Sequence, residues 1–243
     1  MIDHDRITAE RITDVAGRYA ALEVLRATYQ KEKNWVSDPE HQIPLTDLRR
    51  PDIVWFVVQL EGRPAGVLRL LFDPPLLQYA KYSLTLTDPG MDVEKFIAAN
   101  RIAEVGRFAV VSEERGNFLL AAALMRAATE EMAARGYTHL ITDVFEDDPH
   151  TPYRFHTKIL GFQPVATHDV GELHCRSRRI TLVLDLNSAY ERLNRSGNWL
   201  YRYLTGGWDD ALHRRLAGEP SPPLRNAPDE DADSRDYAEV TVA

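Results

Sequence analysis

One cysteine stands in 243 residues, no unbroken apolar run exceeds Phe118 to Met125, and positive charge is in deficit, with 29 Lys and Arg against 37 Asp and Glu. Each shortage excludes something. Cys175 alone cannot close an internal disulfide, so the fold must hold without a covalent staple. The run Phe118 to Met125 is far short of the ~18 residues that a membrane-spanning helix needs. A net charge of −8 opposes binding to a nucleic-acid backbone, whose affinity comes from Lys and Arg neutralising phosphates. The opening residues MIDHDR carry no apolar signal stretch, and a cytoplasmic location is expected. What remains is ordinary for a packed domain: 44% hydrophobic and 27% charged residues, with length for one large domain or one domain with appendages.

The acid is concentrated at one end. From Gly218 onward seven acids face two arginines, with four prolines and few apolar residues. Such a segment cannot bury enough surface to offset its ordering entropy. The expected organisation is a main domain over 1–186, a helical appendage over 187–217 packed on it, and a flexible acidic tail over 218–243.

Periodicity supplies the order of elements. Val15, Tyr19, Leu22, Leu25 and Tyr29 recur at three- and four-residue steps, which predicts an amphipathic helix capped by Thr13 or Asp14, after a short strand around Arg6 to Ile12. Ile53 to Leu60 (IVWFVVQL) is too continuously apolar for a surface strand, and with Ala65 to Phe72 it predicts a hairpin bent at Gly62. Residues 73–100 contain Pro74, Pro75, Pro89 and Gly90, which predicts an irregular excursion with one short helix at Val93 to Asn100. A strand at Ala103 to Val111, a helix at Asn117 to Arg135, a strand at Thr138 to Phe145 and a helical segment ending at Gly161 then make a βαβ crossover. Strands at Gln163 to Thr167 and Arg179 to Leu186 follow. The fold class expected is α/β (α+β), a mixed twisted sheet with helices on both faces.

The segments EVGRFAVVSEERGNFLLAAALM and FHTKILGF, in that order, resemble the GNAT superfamily of acyl-CoA-dependent N-acyltransferases over roughly Val15 to Leu186. Within it the chain is most similar to the N-acyl amino acid synthases and acyl-homoserine-lactone synthases, through YQKEKNW (Tyr29 to Trp35), GVLRL and the Glu104 to Val110 core. The resemblance implies a thioester donor, either acyl-CoA or the phosphopantetheine arm of an acyl carrier protein, and a small-molecule amine as acceptor. It implies that Phe108, Ala109, Val110 and Val111 hold the pantetheine arm as a neighbouring strand would. It also implies that the N–H groups of Arg115, Gly116, Asn117, Phe118 and Leu119 meet the donor's phosphate at a helix N-terminus. The family's glycine-rich loop is altered, with Phe118 and Leu120 where glycines belong, and two bulky residues there are expected to crowd a CoA pyrophosphate. That favours the single phosphate of a carrier protein.

Chemistry-bearing residues follow from the same resemblance. Glu104, a carboxylate on an apolar strand, is the candidate base for the amine proton, with Arg107 ordering the site or the acceptor carboxylate. Three positions apart on a regular strand, the two point to opposite faces. The acid that reprotonates the thiolate has three stand-ins, His156, Tyr153 and Thr157; an exposed helix histidine is the other reading of His156. Asp147, Asp148, His150, His168 and His174 lack metal-ligand spacing, so no metal is expected. Arg176, Arg178 and Arg179 read as a solvated strand entrance, or as a docking patch for an acidic carrier protein. The four tryptophans read as packing residues. Leu76, Leu77, Tyr79, Tyr82 and Leu84 are expected to line a tunnel for a fatty chain. The function expected is transfer of a fatty acyl group from a thioester to the amine of an amino acid or similar metabolite. The alternatives are a short-chain acetyltransferase using CoA and a non-catalytic binding module that keeps the fold.

Overall fold

A computed structural model describes residues 6–77, 82–197 and 199–218. Eight strands form one mixed sheet: β1 (Ile7–Arg11), β2 (Ile53–Leu60), β3 (Arg63–Phe72), β4 (Thr85–Leu86), β5 (Ile102–Val110), β6 (His139–Phe145), β7 (Gln163–His168) and β8 (Arg179–Asp185), in the order β1-β2-β3-β5-β6-β8-β7-β4. All neighbours are antiparallel except β5 and β6, which run parallel. The helix α3 (Phe118–Ala134) makes that crossover.

β2 shows why its apolar run is unbroken. Val54, Phe56 and Val58 point to one face and pack with Leu120, Leu124 and Met125 of α3. Trp55 and Val57 point to the other, with Leu22 and Leu25 of α1 (Val15–Leu25). A period-2 strand covered on both faces needs apolar residues at every position. Its turn to β3 has Glu61 and Gly62 both at positive φ, 53° and 77°, the geometry of a two-residue hairpin loop.

The buried face of α1 differs from the stripe expected. Val15 and Tyr19 are exposed, whereas Arg18 is buried, its Nε donating to the Ile43 carbonyl at 2.7 Å. Tertiary packing of the loop after the helix decides which face goes inward. Asp14 caps the helix, accepting from the Gly17 N–H at 2.8 Å, and beyond Leu25 the helix widens into π-helical turns over Arg26–Glu32.

The helices α4 (Leu186–Arg195), α5 (Trp199–Thr205) and α6 (Asp210–Leu216) bury Leu193, Leu200, Leu204 and Leu216 in the same core as α3. A short α2 (Val93–Ala99) lies in the excursion, its Phe96 and Ile97 packed against Ile102, Ile141 and Val183. The tail from 219 onward lies outside the described residues. No helix among the described residues is long and apolar enough to cross a membrane.

Candidate active site

The site opens where β5 and β6 part. They pair only from Ile102 with His139 to Glu104 with Ile141, while β5 continues to Val110 along β3. The edge of β5 beyond Glu104 is left open towards β6. A cavity of about 440 Å³ occupies the wedge, lined by β5 from Glu104 to Val110 and β6 from Thr142 to Phe145.

Glu104 and Arg107 both line this cavity, which corrects the opposite-face expectation. The register passes from Arg69 opposite Gly106 to Val67 opposite Ala109, so Arg107 and Phe108 together oppose Leu68. This bulge inserts one residue and resets the alternation of faces. Arg107 pays in backbone strain at φ 51°, a conformation that non-glycine residues adopt at a cost of roughly 1 kcal/mol or more.

Each charge has a partner. Arg69 Nη2 donates to Glu104 Oε1 at 2.8 Å, and a Cβ on Gly106 would stand 2.8 Å from that same oxygen, so glycine leaves the room the pair occupies. Arg107 donates from Nε to Gln42 Oε1 at 2.8 Å and from Nη2 to Glu172 Oε2 at 2.9 Å at the rim. Burial works against the ionised Glu172 carboxylate, but the charge and hydrogen bond of Arg107 outweigh it and its pKa falls. Burial pushes the Tyr29 hydroxyl up to about 12, so that hydroxyl keeps its proton at neutral pH.

On the opposite wall His168 Nδ1–H donates to the Val170 carbonyl at 2.7 Å and Nε2 meets Asp143 Oδ2 at 3.0 Å, while Thr181 Oγ1 donates to Asp143 Oδ1 at 2.8 Å. Arg179 is buried, stacks over the Phe145 ring and donates to the carbonyls of Asp169 and Leu173. It therefore pins the loop that carries Glu172, and is no solvated strand entrance. Among the described residues, no three His, Cys, Asp or Glu side chains are grouped to hold a metal.

The candidates for the thiolate's acid separate. Tyr153 packs on the core and its carbonyl accepts from Thr157 Oγ1 at 2.8 Å; neither side chain lines the cavity. His156 does line it, yet only 1% of it is exposed, so it is not an exposed helix histidine. Its ring sits among Phe108, Phe155 and Phe162. Its Nδ1 is 2.9 Å from the Pro152 carbonyl, a contact that requires Nδ1 to carry the proton and leaves Nε2 as a bare acceptor. Burial pushes its pKa down to about 4. A neutral ring protonated on Nδ1 carries no proton on Nε2 at pH 7, an arrangement that speaks against the acid role expected of it.

The donor side is also partly as expected. Val111 is spent elsewhere: its N–H donates to the Ala65 carbonyl at 2.9 Å and its own carbonyl accepts from Glu114 at 3.0 Å. The open edge therefore ends at Val110. Asn117 caps α3, its Oδ1 accepting the Leu119 N–H at 3.3 Å, and its own N–H donates to the Glu114 carbonyl at 2.9 Å, so two of the groups expected to meet a phosphate are already engaged. A Cβ on Gly116 would meet no atom within 4 Å, leaving open space for a ligand to approach the backbone there. Leu120 points into the core, fully buried, whereas Phe118 is 42% exposed against Trp199, ring centroids 5.4 Å apart. Leu120 therefore does not crowd the loop.

The excursion contributes less than expected. Leu77 is exposed, Leu76 packs beneath α2, Tyr79 lies outside the described residues, and Leu84 does not line the cavity; Tyr82 does, as does Trp35. Trp35 is thus a wall residue, its ring tilted against that of Phe145 with centroids 4.3 Å apart. Arg69 was missed at the sequence level, although one charge inside GVLRL is the same signal that singled out Glu104. Glu172, Asp143 and His168 gave no such signal, since their loops and strands meet only in the fold.

The model of the acetyltransferase (GNAT) family matches residues 19–162. The chain belongs to that family. It is an acyltransferase, and the family's donor is an acyl thioester of coenzyme A. No curated protein matches its sequence. Among solved structures it is similar to FeeM, an N-acyl amino acid synthase from uncultured soil microbes, at 18% identity and a TM-score of 0.58, over 76% of this chain and 94% of that one. An aminoglycoside 6′-acetyltransferase type Ii aligns at 14% identity and 0.50, over 73% and 96%. RimL, a ribosomal L7/L12 α-N-protein acetyltransferase in complex with coenzyme A, aligns at 11% and 0.50, over 73% and 94%. At such identities these similarities establish the fold of the GNAT family member and no more.

Proposed function

We propose that this GNAT enzyme moves a fatty acyl group from a pantetheine thioester, on acyl carrier protein or coenzyme A, to the amine of an amino acid or a similar metabolite. The observation that carries the reading is the convergence of Glu104 and Arg107 on one cavity at the parting of β5 and β6. A carboxylate and a guanidinium there match the ammonium and carboxylate of an amino acid. The amine nitrogen bonds to the acyl carbon, the C–S bond breaks, and the thiolate leaves, taking up the second proton that the attacking nitrogen sheds, directly or through water. Glu104 takes the proton the amine must lose, directly or through water, and Arg107 orients the acceptor's carboxylate. The acyl chain runs along aromatic side chains that line the cavity, Trp35, Phe145, Phe108 and Phe155.

A second reading, short-chain transfer from coenzyme A, is favoured by one observation: Leu120 lies in the core and Phe118 leans out against Trp199, so the loop is less crowded than its sequence implies. One acyl chain presented on carrier protein and on coenzyme A, assayed side by side with a panel of amino acids, tests both readings. Faster turnover of long-chain carrier thioesters with amino acids supports the first. Preference for acetyl-CoA, or for amines lacking a carboxylate, overturns it.

A further inference from the structure

The strap that follows α1 touches both lips of the cleft. Glu32, at the end of the π-helical turns, pairs with Arg115 in the loop after β5. Its neighbour Lys33 reaches the other lip, pairing at 2.5 Å with Asp148 in the loop after β6 and lying 5.1 Å over the Trp35 ring. π-helical turns are rare and concentrate at functional sites. Here the wide turn brings two adjacent residues of opposite charge to opposite sides of one opening.

Arg115 belongs to the loop that leads into α3, whose N-terminus favours anions. A donor phosphate arriving there would seek the same guanidinium, which binds carboxylate and phosphate alike. Glu32 already holds it. We propose that Glu32 is a donor-selectivity residue: its carboxylate stands in for the donor phosphate on Arg115, so every phosphate-bearing donor must displace it.

The consequence is a graded penalty on donor charge. A single phosphate exchanges for one carboxylate, and the displaced Glu32 stays tethered to the strap nearby. Coenzyme A brings a pyrophosphate and a further phosphate against that tethered charge, and so loses more than a donor with one phosphate. The Arg115 hydrogen bond and charge hold Glu32 ionised, with its pKa below the ordinary carboxylate value, so the competition operates throughout the neutral range.

This inference rests on the reading that the cleft takes a pantetheine thioester. The test measures binding of pantetheine, 4′-phosphopantetheine and coenzyme A to the wild type, Glu32→Gln and Glu113→Gln by calorimetry, with thermal midpoints as a fold check. Glu113 is a neighbouring exposed acid whose charge also acts on Arg115, without the pairing. In Glu32→Gln, coenzyme A should bind about tenfold tighter and phosphopantetheine about threefold tighter, as expected for freeing one partly buried arginine. Pantetheine should be unchanged, and Glu113→Gln should leave all three near wild type. Equal tightening of pantetheine would overturn the proposal in favour of a cleft merely opened. Weakening of all three would make Glu32 a wall of the cleft, and a matching effect in Glu113→Gln would reduce it to net charge. If the wild type binds none of the three, the donor reading itself fails and takes this proposal with it.

Discussion

His168 Nε2 stands 3.0 Å from Asp143 Oδ2, with its other nitrogen donating to the Val170 carbonyl. Burial alone would lower the His168 pKa, but the hydrogen bond and charge of Asp143 outweigh it, against a smaller opposing effect of Arg179, and the value rises above 6.5. The folded state then holds the proton more tightly than the unfolded chain. Its stabilisation is complete below about pH 6.5 and is lost as pH rises through the folded value. The denaturant midpoint should therefore decline as pH rises above about 6.5, and Asp143→Asn should flatten that decline. A wild-type midpoint that rises there would contradict the assignment.

Glu104→Gln keeps the shape of the side chain and its contact with Arg69 while removing the basic oxygen. If Glu104 takes the amine proton, kcat should drop by on the order of 10²-fold or more, with the circular dichroism spectrum and thermal midpoint little changed. Turnover equal to wild type at saturating amine would take Glu104 out of the mechanism.

Arg107 uses Nε and Nη2 at once, on Gln42 and Glu172, a geometry that a lysine ammonium cannot reproduce. Arg107→Lys should raise the acceptor KM by roughly tenfold, the size of one lost charge-assisted contact, and leave the donor KM unchanged. Steady-state kinetics with each substrate varied in turn checks the split; an equal rise in both would point to a collapsed cavity.

Phe118 and Leu120 occupy neighbouring glycine positions of the loop but live in different surroundings. Leu120→Ala should cost roughly 2–5 kcal/mol of stability, as a fully buried leucine does, without improving the KM for acyl-CoA. Phe118→Gly should ease the approach of coenzyme A and lower that KM. The reverse pattern would mean that Leu120 reaches the phosphate.

His156 should stay neutral over the physiological range. Its imidazole carbon-bound proton resonances should hold their positions from about pH 8 to about pH 5, and a mid-point near the ordinary histidine value would show that the ring is wetter than its 1% exposure implies.

Much of the architecture was legible because periodicity reports burial directly. The continuous run in β2, the Gly62 turn and the βαβ crossover around α3 each follow from local patterns whose cause is local: alternation, left-handed backbone, a helical stripe. α1 is the instructive exception. Its best apolar stripe includes Val15 and Tyr19, both exposed, because the loop carrying Ile43 supplies a carbonyl for Arg18 and a cover for the other face. Propensity named the element and packing chose its orientation.

The sequence by itself determined the order of elements, the family resemblance and the presence of a carboxylate on the central strand, since each of these is written in neighbouring residues. Tertiary structure alone decided which charges meet. The bulge at Arg107 turns it onto the face of Glu104, Arg69 arrives from the adjacent strand, Glu172 from a loop pinned by Arg179, and Glu32 reaches Arg115 from the turns after α1. The physical reason is that hydrophobic patterning is a property of segments, whereas an ion pair depends on atoms placed within about 3 Å of one another by strands far apart in the chain.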